Sequence, residues 1–150
     1  QPALLVADEP TAGLDVSVAA GILNLLKDLR ERLSLTYILI THNLNIIGFI
    51  ADRVAVMYLG KVVEVGETPI LFTAPRHPYT EALLSAVPIP DPTLKRRKIV
   101  LHGDVPSPIN PPSGCRFRTR CPLAEEICAA EEPPLVTVEE SRAVSCHRFA

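Results

Sequence analysis

Residues 3–15 read Ala3-Leu4-Leu5-Val6-Ala7-Asp8-Glu9-Pro10-Thr11-Ala12-Gly13-Leu14-Asp15, an apolar run closed by two acids, a proline and a glycine. An unbroken apolar run of this length predicts a strand buried on both faces, the habit of parallel sheets. Asp8 and Glu9 stand where that strand stops. Ligands of open α/β sheets lie beyond the carboxyl ends of the strands. Two adjacent acids there can divide labour, one helping to hold Mg²⁺ and the other orienting a nucleophilic water. The plain alternative is a solvated acid pair at a strand end.

Working outward, Asp15 is placed to cap a helix in which Val18, Ile22, Leu25, Leu26, Leu29 and Leu33 recur at helical spacing. Tyr37–Ile40 predicts a second buried strand, and a short helix is expected from about Leu44 to Ala51. Val54–Tyr58 and Lys61–Val65 alternate about Leu59-Gly60, a hairpin pattern. Helical stretches follow near Pro69–Phe72 and Pro78–Ala86, each with a proline where its missing N–H costs least. Strand, helix, strand, helix predicts an α/β fold with a parallel sheet. Phe49, Phe72 and Tyr79 are expected in the core.

The composition of the 150 residues, 47% hydrophobic and 21% charged with net charge −2, is that of an ordinary globular chain. It implies no electrostatic pull toward nucleic acid or an anionic membrane. No apolar run reaches the roughly 18 residues of a membrane span, and no signal-peptide pattern opens the chain. The start at Gln1, a few residues before a strand, reads as that of a fragment or a processed chain. Near residue 88 prolines accumulate, from Pro88 to Pro112, with a basic run at Lys95–Lys98 that is expected to be solvated. This divides the chain into 1–87, an α/β part, and 88–150, a Pro/Cys-rich extension that should be largely extended and loop-rich.

Asp8-Glu9-Pro10-Thr11-Ala12-Gly13-Leu14-Asp15 resembles the Walker B and D-loop segment of ABC ATPases, and Thr41-His42 matches the family's switch histidine at the end of the next strand. Arg76-His77-Pro78-Tyr79-Thr80, following Gly60-Lys61-Val62-Val63-Glu64-Val65-Gly66, is similar to the segment that marks the oligopeptide/dipeptide importer ATPases. The resemblance covers essentially the whole chain. It implies the later half of a P-loop ATPase domain, with ATP and Mg²⁺ as ligands. Residue by residue, it implies that Asp8 serves the Mg²⁺ shell, Glu9 activates water, His42 contacts the γ-phosphate, and Asp15 couples two ATP sites across a dimer. Asn43 departs from the aspartate that members often carry after the histidine. It further implies a second ATPase subunit and membrane permease subunits as partners, no nucleic acid, and a peripheral place on the cytoplasmic face of the cell membrane. No GxxxxGKS/T loop and no LSGGQ signature occur in the chain. The fragment alone is therefore expected to be inactive, with the full-length parent as the enzyme. A non-transport ABC protein would share the acid motif but leaves residues 76–80 unexplained.

Cys115, Cys121, Cys128 and Cys146 are spaced C-x5-C-x6-C-x17-C. Zinc sites normally offer CxxC pairs, and none is present. Wider spacing suits a larger inorganic core, since a cubane needs four thiolates spread around it. By resemblance, the matching cysteines hold a 4Fe–4S cluster in some family members and none in others. The order is an iron–sulfur site first, zinc second, and free or disulfide-linked cysteines third, in a reducing compartment. A non-catalytic metal-binding regulatory module is thus the alternative reading. His147, beside Cys146, reads as a surface residue rather than a substitute ligand. Arg116, Arg118 and Arg120 alternate with Phe117 and Thr119, predicting a solvated edge strand with one charged face.

Overall fold

The computed structural model describes residues 2–88 and 98–149. The chain divides into two compact units, Gln1–Ala51 and Asp52–Ala150. Lys95, Arg96 and Arg97 of the basic run lie outside the described residues. Among the described residues, no helix is long and apolar enough to cross a membrane. The architecture is mixed α/β, with a parallel pair in one unit and an antiparallel sheet in the other.

The first unit runs β1 (Leu4–Asp8), α1 (Val16–Leu33), β2 (Thr36–Ile40) and α2 (Leu44–Ile50). β1 and β2 pair in parallel, in register from Leu4 opposite Thr36 to Asp8 opposite Ile40. The Asp15 carboxylate accepts from the Ser17 and Val18 amides, capping α1 as its sequence predicts. Leu23 is buried on α1, with Ala19, Ile22, Leu26 and Leu29 half-buried beside it. Val18, Leu25 and Leu33 of the apolar periodicity are exposed.

The expectation of strands buried on both faces is not met in this chain. Leu5, Ala7, Tyr37 and Leu39 are half-buried, but Leu4, Val6, Ile38 and Ile40 on the opposite face are exposed. The unit has only two strands and two helices, too few layers to cover both faces. Phe49 is also corrected. Its ring is 50% exposed and lies 4.6 Å below the Lys27 ammonium, a cation–π contact at the surface rather than a core position.

In the second unit β3 (Arg53–Tyr58) and β4 (Lys61–Glu67) form the expected hairpin. Leu59 and Gly60 both have positive φ, 46° and 78°, as a two-residue turn matching strand twist requires. α3 (Thr68–Thr73) and α4 (Pro78–Ser85) follow, then a short α5 (Ile127–Ala130), β5 (Val136–Glu139) and β6 (Arg142–Val144). The sheet order is β3-β4-β6-β5. The last strands of the proline-rich region therefore complete the hairpin's sheet, which composition alone did not foretell. A bulge between Val56 and Met57 lets the consecutive residues Val63 and Glu64 both go inside.

Glu64 is fully buried and forms the hub of this unit. Its carboxylate accepts from Arg142 Nε at 3.1 Å and Nη2 at 2.5 Å, and from the Arg76 and His77 amides at 3.0 and 2.9 Å. Arg142 also donates to the Ala74 carbonyl. The pair thus ties β4 and β6 to the segment that leads into α4. A buried ion pair needs further hydrogen bonds to offset its desolvation, and here both Glu64 oxygens and the Arg142 Nε and Nη2 groups have them.

The segment 76–80 folds onto the same hub. His77 is buried, and its Nδ1 accepts from the Tyr79 amide, so the ring caps α4 with its proton on Nε2. Pro78 opens the helix. Tyr79, Tyr58 and His77 surround Phe117, with ring centroids 5.3, 5.2 and 5.6 Å from it. Desolvation pushes the His77 pKa down to about 4, against an opposing pull from Glu64.

Arg142→Ala should leave the Glu64 charge buried without its counter-ion and cost this unit about 3–5 kcal/mol in urea unfolding. Lys61→Ala, which removes the exposed Lys61–Glu132 pair, should cost under about 1 kcal/mol. His77 supplies a pH dependence. Its folded pKa lies below the unfolded value, so the unfolded chain binds the extra proton first as pH falls. Stability should be complete above about pH 6.5 and fall by about 3 kcal/mol toward pH 4. Unfolding midpoints across that window should show a flatter acid slope for His77→Asn, which can still cap α4.

Candidate functional site

β1 ends at Asp8 and β2 ends opposite it at Ile40, so Glu9 and Thr41, the next residue of each chain segment, emerge at one edge. Glu9 extends the pairing by one bond, its amide donating to the Ile40 carbonyl at 2.8 Å. It then turns sharply, with φ of 46°. A non-glycine residue in this region carries a strain of order 1 kcal/mol and is worth noticing at a strand end. The turn is held by Ala12 and Leu14 amides donating to the Glu9 and Thr11 carbonyls.

This turn aims the Glu9 carboxylate at the end of β2. Oε1 lies 2.6 Å from His42 Nδ1 and accepts from the His42 amide at 3.1 Å. Oε2 accepts from the Thr41 hydroxyl at 3.2 Å. The bond from the His42 side chain is the main reason that the Glu9 pKa is held below its ordinary value. The His42 ring remains 87% exposed and Glu9 33% exposed, so both groups stay open to a ligand. Asp8 is exposed one residue earlier, at the last position of β1.

Glu9 and His42, separated by more than thirty residues, are thus brought into contact, with Asp8 beside them. Asp15 is placed differently. Its Oδ1 is taken up by Ser17 Oγ at 2.6 Å and by the first amides of α1, and the Ser17 hydroxyl leads in holding its pKa down. An acid next to a base across a strand edge can take a proton from a water bound between them and a third group. Thr41 was not singled out by sequence reasoning. Its only signal was its place immediately before the histidine.

The second candidate cluster lies in the other unit. Residues 115–120 form turns, not the charged edge strand expected from alternation. Phe117 goes into the core, Arg116 donates to the Leu59 carbonyl, and Arg118 Nε donates to the Ser113 carbonyl at 2.9 Å. Arg116 and Arg118 thus bind backbone carbonyls, which outweighs strand alternation. The Cys115 amide donates to the Cys128 carbonyl at 2.8 Å, joining the ends of this loop. Gly114 stands at that crossing with φ of 63°, and a Cβ there would collide with the Cys128 carbonyl. Only glycine fits.

All four cysteines are free thiols and half-buried. Burial pushes Cys115, Cys121 and Cys146 up, and neighbouring cysteines push each further. The backbone at Phe117, Leu123 and Arg148 pulls the other way, but burial prevails and all three thiols stay above their ordinary value. The thiols therefore lie within electrostatic reach of one another. Among the described residues, no three His, Cys, Asp or Glu side chains close on a common point as a metal would require. His147 Nε2 is 3.0 Å from the Glu131 carbonyl.

The chain is thus a mixed α/β protein in which Glu9 meets His42 at one strand edge and Glu64 is buried against Arg142 and the segment before α4. Residues 63–128 match the oligopeptide/dipeptide transporter, C-terminal region. The chain is 54% identical over 147 residues to the probable peptide ABC transporter ATP-binding protein y4tS of Sinorhizobium fredii, covering 98% of this chain and 42% of that protein. It is 51% identical over 150 residues to the putative oligopeptide transport ATP-binding protein YkfD of Bacillus subtilis, covering 99% and 46%. It is 50% identical over 148 residues to the oligopeptide transport ATP-binding protein OppF of Haemophilus influenzae, covering 97% and 45%. The chain spans about half the length of these relatives.

Proposed function

We propose that this chain is the later half of an ATP-hydrolysing subunit that energises peptide import, with Glu9 as the general base. The observation that carries the proposal is the contact of Glu9 with His42 at the shared edge of β1 and β2. The names of the similar proteins support the transport role.

In this reading ATP would supply the phosphoryl group to be transferred, and Asp8 would help to hold the Mg²⁺ that neutralises its charge. Glu9 would take a proton from the water attacking the γ-phosphorus while the bond from that phosphorus to the bridging oxygen breaks and ADP leaves with that oxygen. His42, held by Glu9 through Nδ1, would offer its other ring nitrogen to the γ-phosphate and help keep the water in line. Phosphoryl transfer rewards positioning and charge neutralisation more than covalent chemistry, which suits an acid and an imidazole on a rigid strand edge. Asp15, at the start of α1, belongs to the segment that meets the second ATPase subunit. The membrane permease subunits are the other partners, and the site of action is the cytoplasmic face of the membrane. No GxxxxGKS/T loop and no LSGGQ signature occur in these 150 residues, and in this reading they alone would not turn over ATP.

A second reading concerns the extension, 88–150, and is favoured by four half-buried thiols within electrostatic reach of one another. Cys115, Cys121, Cys128 and Cys146 would hold a 4Fe–4S cluster, or failing that zinc, after closing together. Either group would supply a cross-link for the loop between Gly114 and Cys128.

In the full-length subunit, Glu9→Gln should lower kcat by about 100-fold or more while leaving ATP affinity intact. Undiminished turnover refutes the role given to Glu9. For the thiols, protein purified without oxygen should carry about four iron and four sulfide per chain, as expected of a cubane with four thiolates. Cys128→Ser should lose them. Absence of both iron and zinc from such a preparation overturns the second reading.

A further inference from the structure

We propose that Thr41 is a positioning residue for the Glu9 carboxylate, selecting which of its oxygens serves as base. The proposal rests on the reading of Glu9 as general base and goes beyond it, because it assigns a function to a residue that only the folded chain brings to the site.

Hydrogen-bond capacity limits what Thr41 can do. A threonine hydroxyl has one proton to give and lone pairs to receive with. Thr41 Oγ1 accepts from the Asn43 amide at 3.1 Å, which directs its proton away from that amide. The remaining partner is Glu9 Oε2 at 3.2 Å. Asn43 is itself fixed, since its side-chain oxygen accepts from the Asn45 amide at 3.1 Å as the cap of α2. A short relay thus runs from the first turn of α2 through the Thr41 hydroxyl to the carboxylate. Thr41 is half-buried, so the relay is partly sheltered from competing water.

The two carboxylate oxygens are then unequal. Oε1 is engaged twice, by the His42 ring and by the His42 amide. Among the described residues Oε2 has the Thr41 hydroxyl alone, leaving a lone pair to accept a proton from water. With both oxygens tethered, the carboxylate plane cannot rotate freely. That matters because Glu9 sits on a strained turn, with φ of 46°, and its side chain would otherwise sample several rotamers at little cost. A general base must be within hydrogen-bond reach of the proton that it removes, and small misplacements are expensive.

The test uses the full-length subunit, with ATP turnover measured for Thr41→Val, Thr41→Ser and Glu9→Gln. Valine keeps the shape of threonine and removes the hydroxyl. It should lower kcat about tenfold, the loss expected for one charge-assisted hydrogen bond, with KM for ATP unchanged. Serine, which keeps the hydroxyl, should restore most of the rate. In single-turnover measurements on the Glu9→Gln background, Thr41→Val should add little, because the carboxylate that it positions is gone. An unchanged kcat for Thr41→Val, with Glu9→Gln still inactive, overturns the role of Thr41 and spares that of Glu9. Loss of ATP binding and of thermal stability in Thr41→Val, not rescued by serine, assigns Thr41 to structure alone and also overturns it. An active Glu9→Gln subunit removes the general base itself and the proposal with it.

Discussion

The parallel register between β1 and β2 governs the candidate site. Because Asp8 lies opposite Ile40, the Glu9 amide meets the Ile40 carbonyl, and the two chain segments leave the sheet at the same level. A slip of one residue would turn every side chain of one strand to the other face. Glu9 would then point away from Thr41 and His42. The left-handed turn at Glu9 adds the final rotation, and the bonds to His42 and Thr41 offset its strain. Site geometry here is a by-product of backbone pairing, with side chains making the last adjustment.

The second unit depends on a different constraint, the burial of one carboxylate. Glu64 could not be inside without Arg142 and two backbone amides, which come from distant parts of the chain. The consequence is that the tail strand β6 and the segment before α4 are both obliged to meet β4. Phe117 then seats the cysteine loop against the same aromatic group, so that the loop is anchored by packing as well as by Arg116. Segment 76–80 is structural in its contacts: His77 caps, Pro78 starts the helix, and Tyr79 packs. Its buried imidazole makes the cap a neutral one, which connects the stability of this unit to pH.

Local elements were legible where a single periodicity or a single residue type decides them. The hairpin about Leu59-Gly60, the prolines at the starts of α3 and α4, and the Asp15 cap all follow from short-range stereochemistry. Burial was less legible. Phe49 and the outer faces of β1 and β2 are apolar in sequence yet exposed in this chain, because exposure depends on what layers are present. Alternation misled at 116–120, where the carbonyls of Leu59 and Ser113 draw the arginines into turns.

The order of residues alone determined the α/β character, the two strand-end sites and the cysteine spacing, since each is carried by neighbours within a few positions. Only the tertiary structure decided that Glu9 touches Thr41 as well as His42, that Glu64 is buried with Arg142, and that β6 joins the hairpin. Those are contacts across long stretches of chain, and their free energy comes from desolvated partners that no local pattern records.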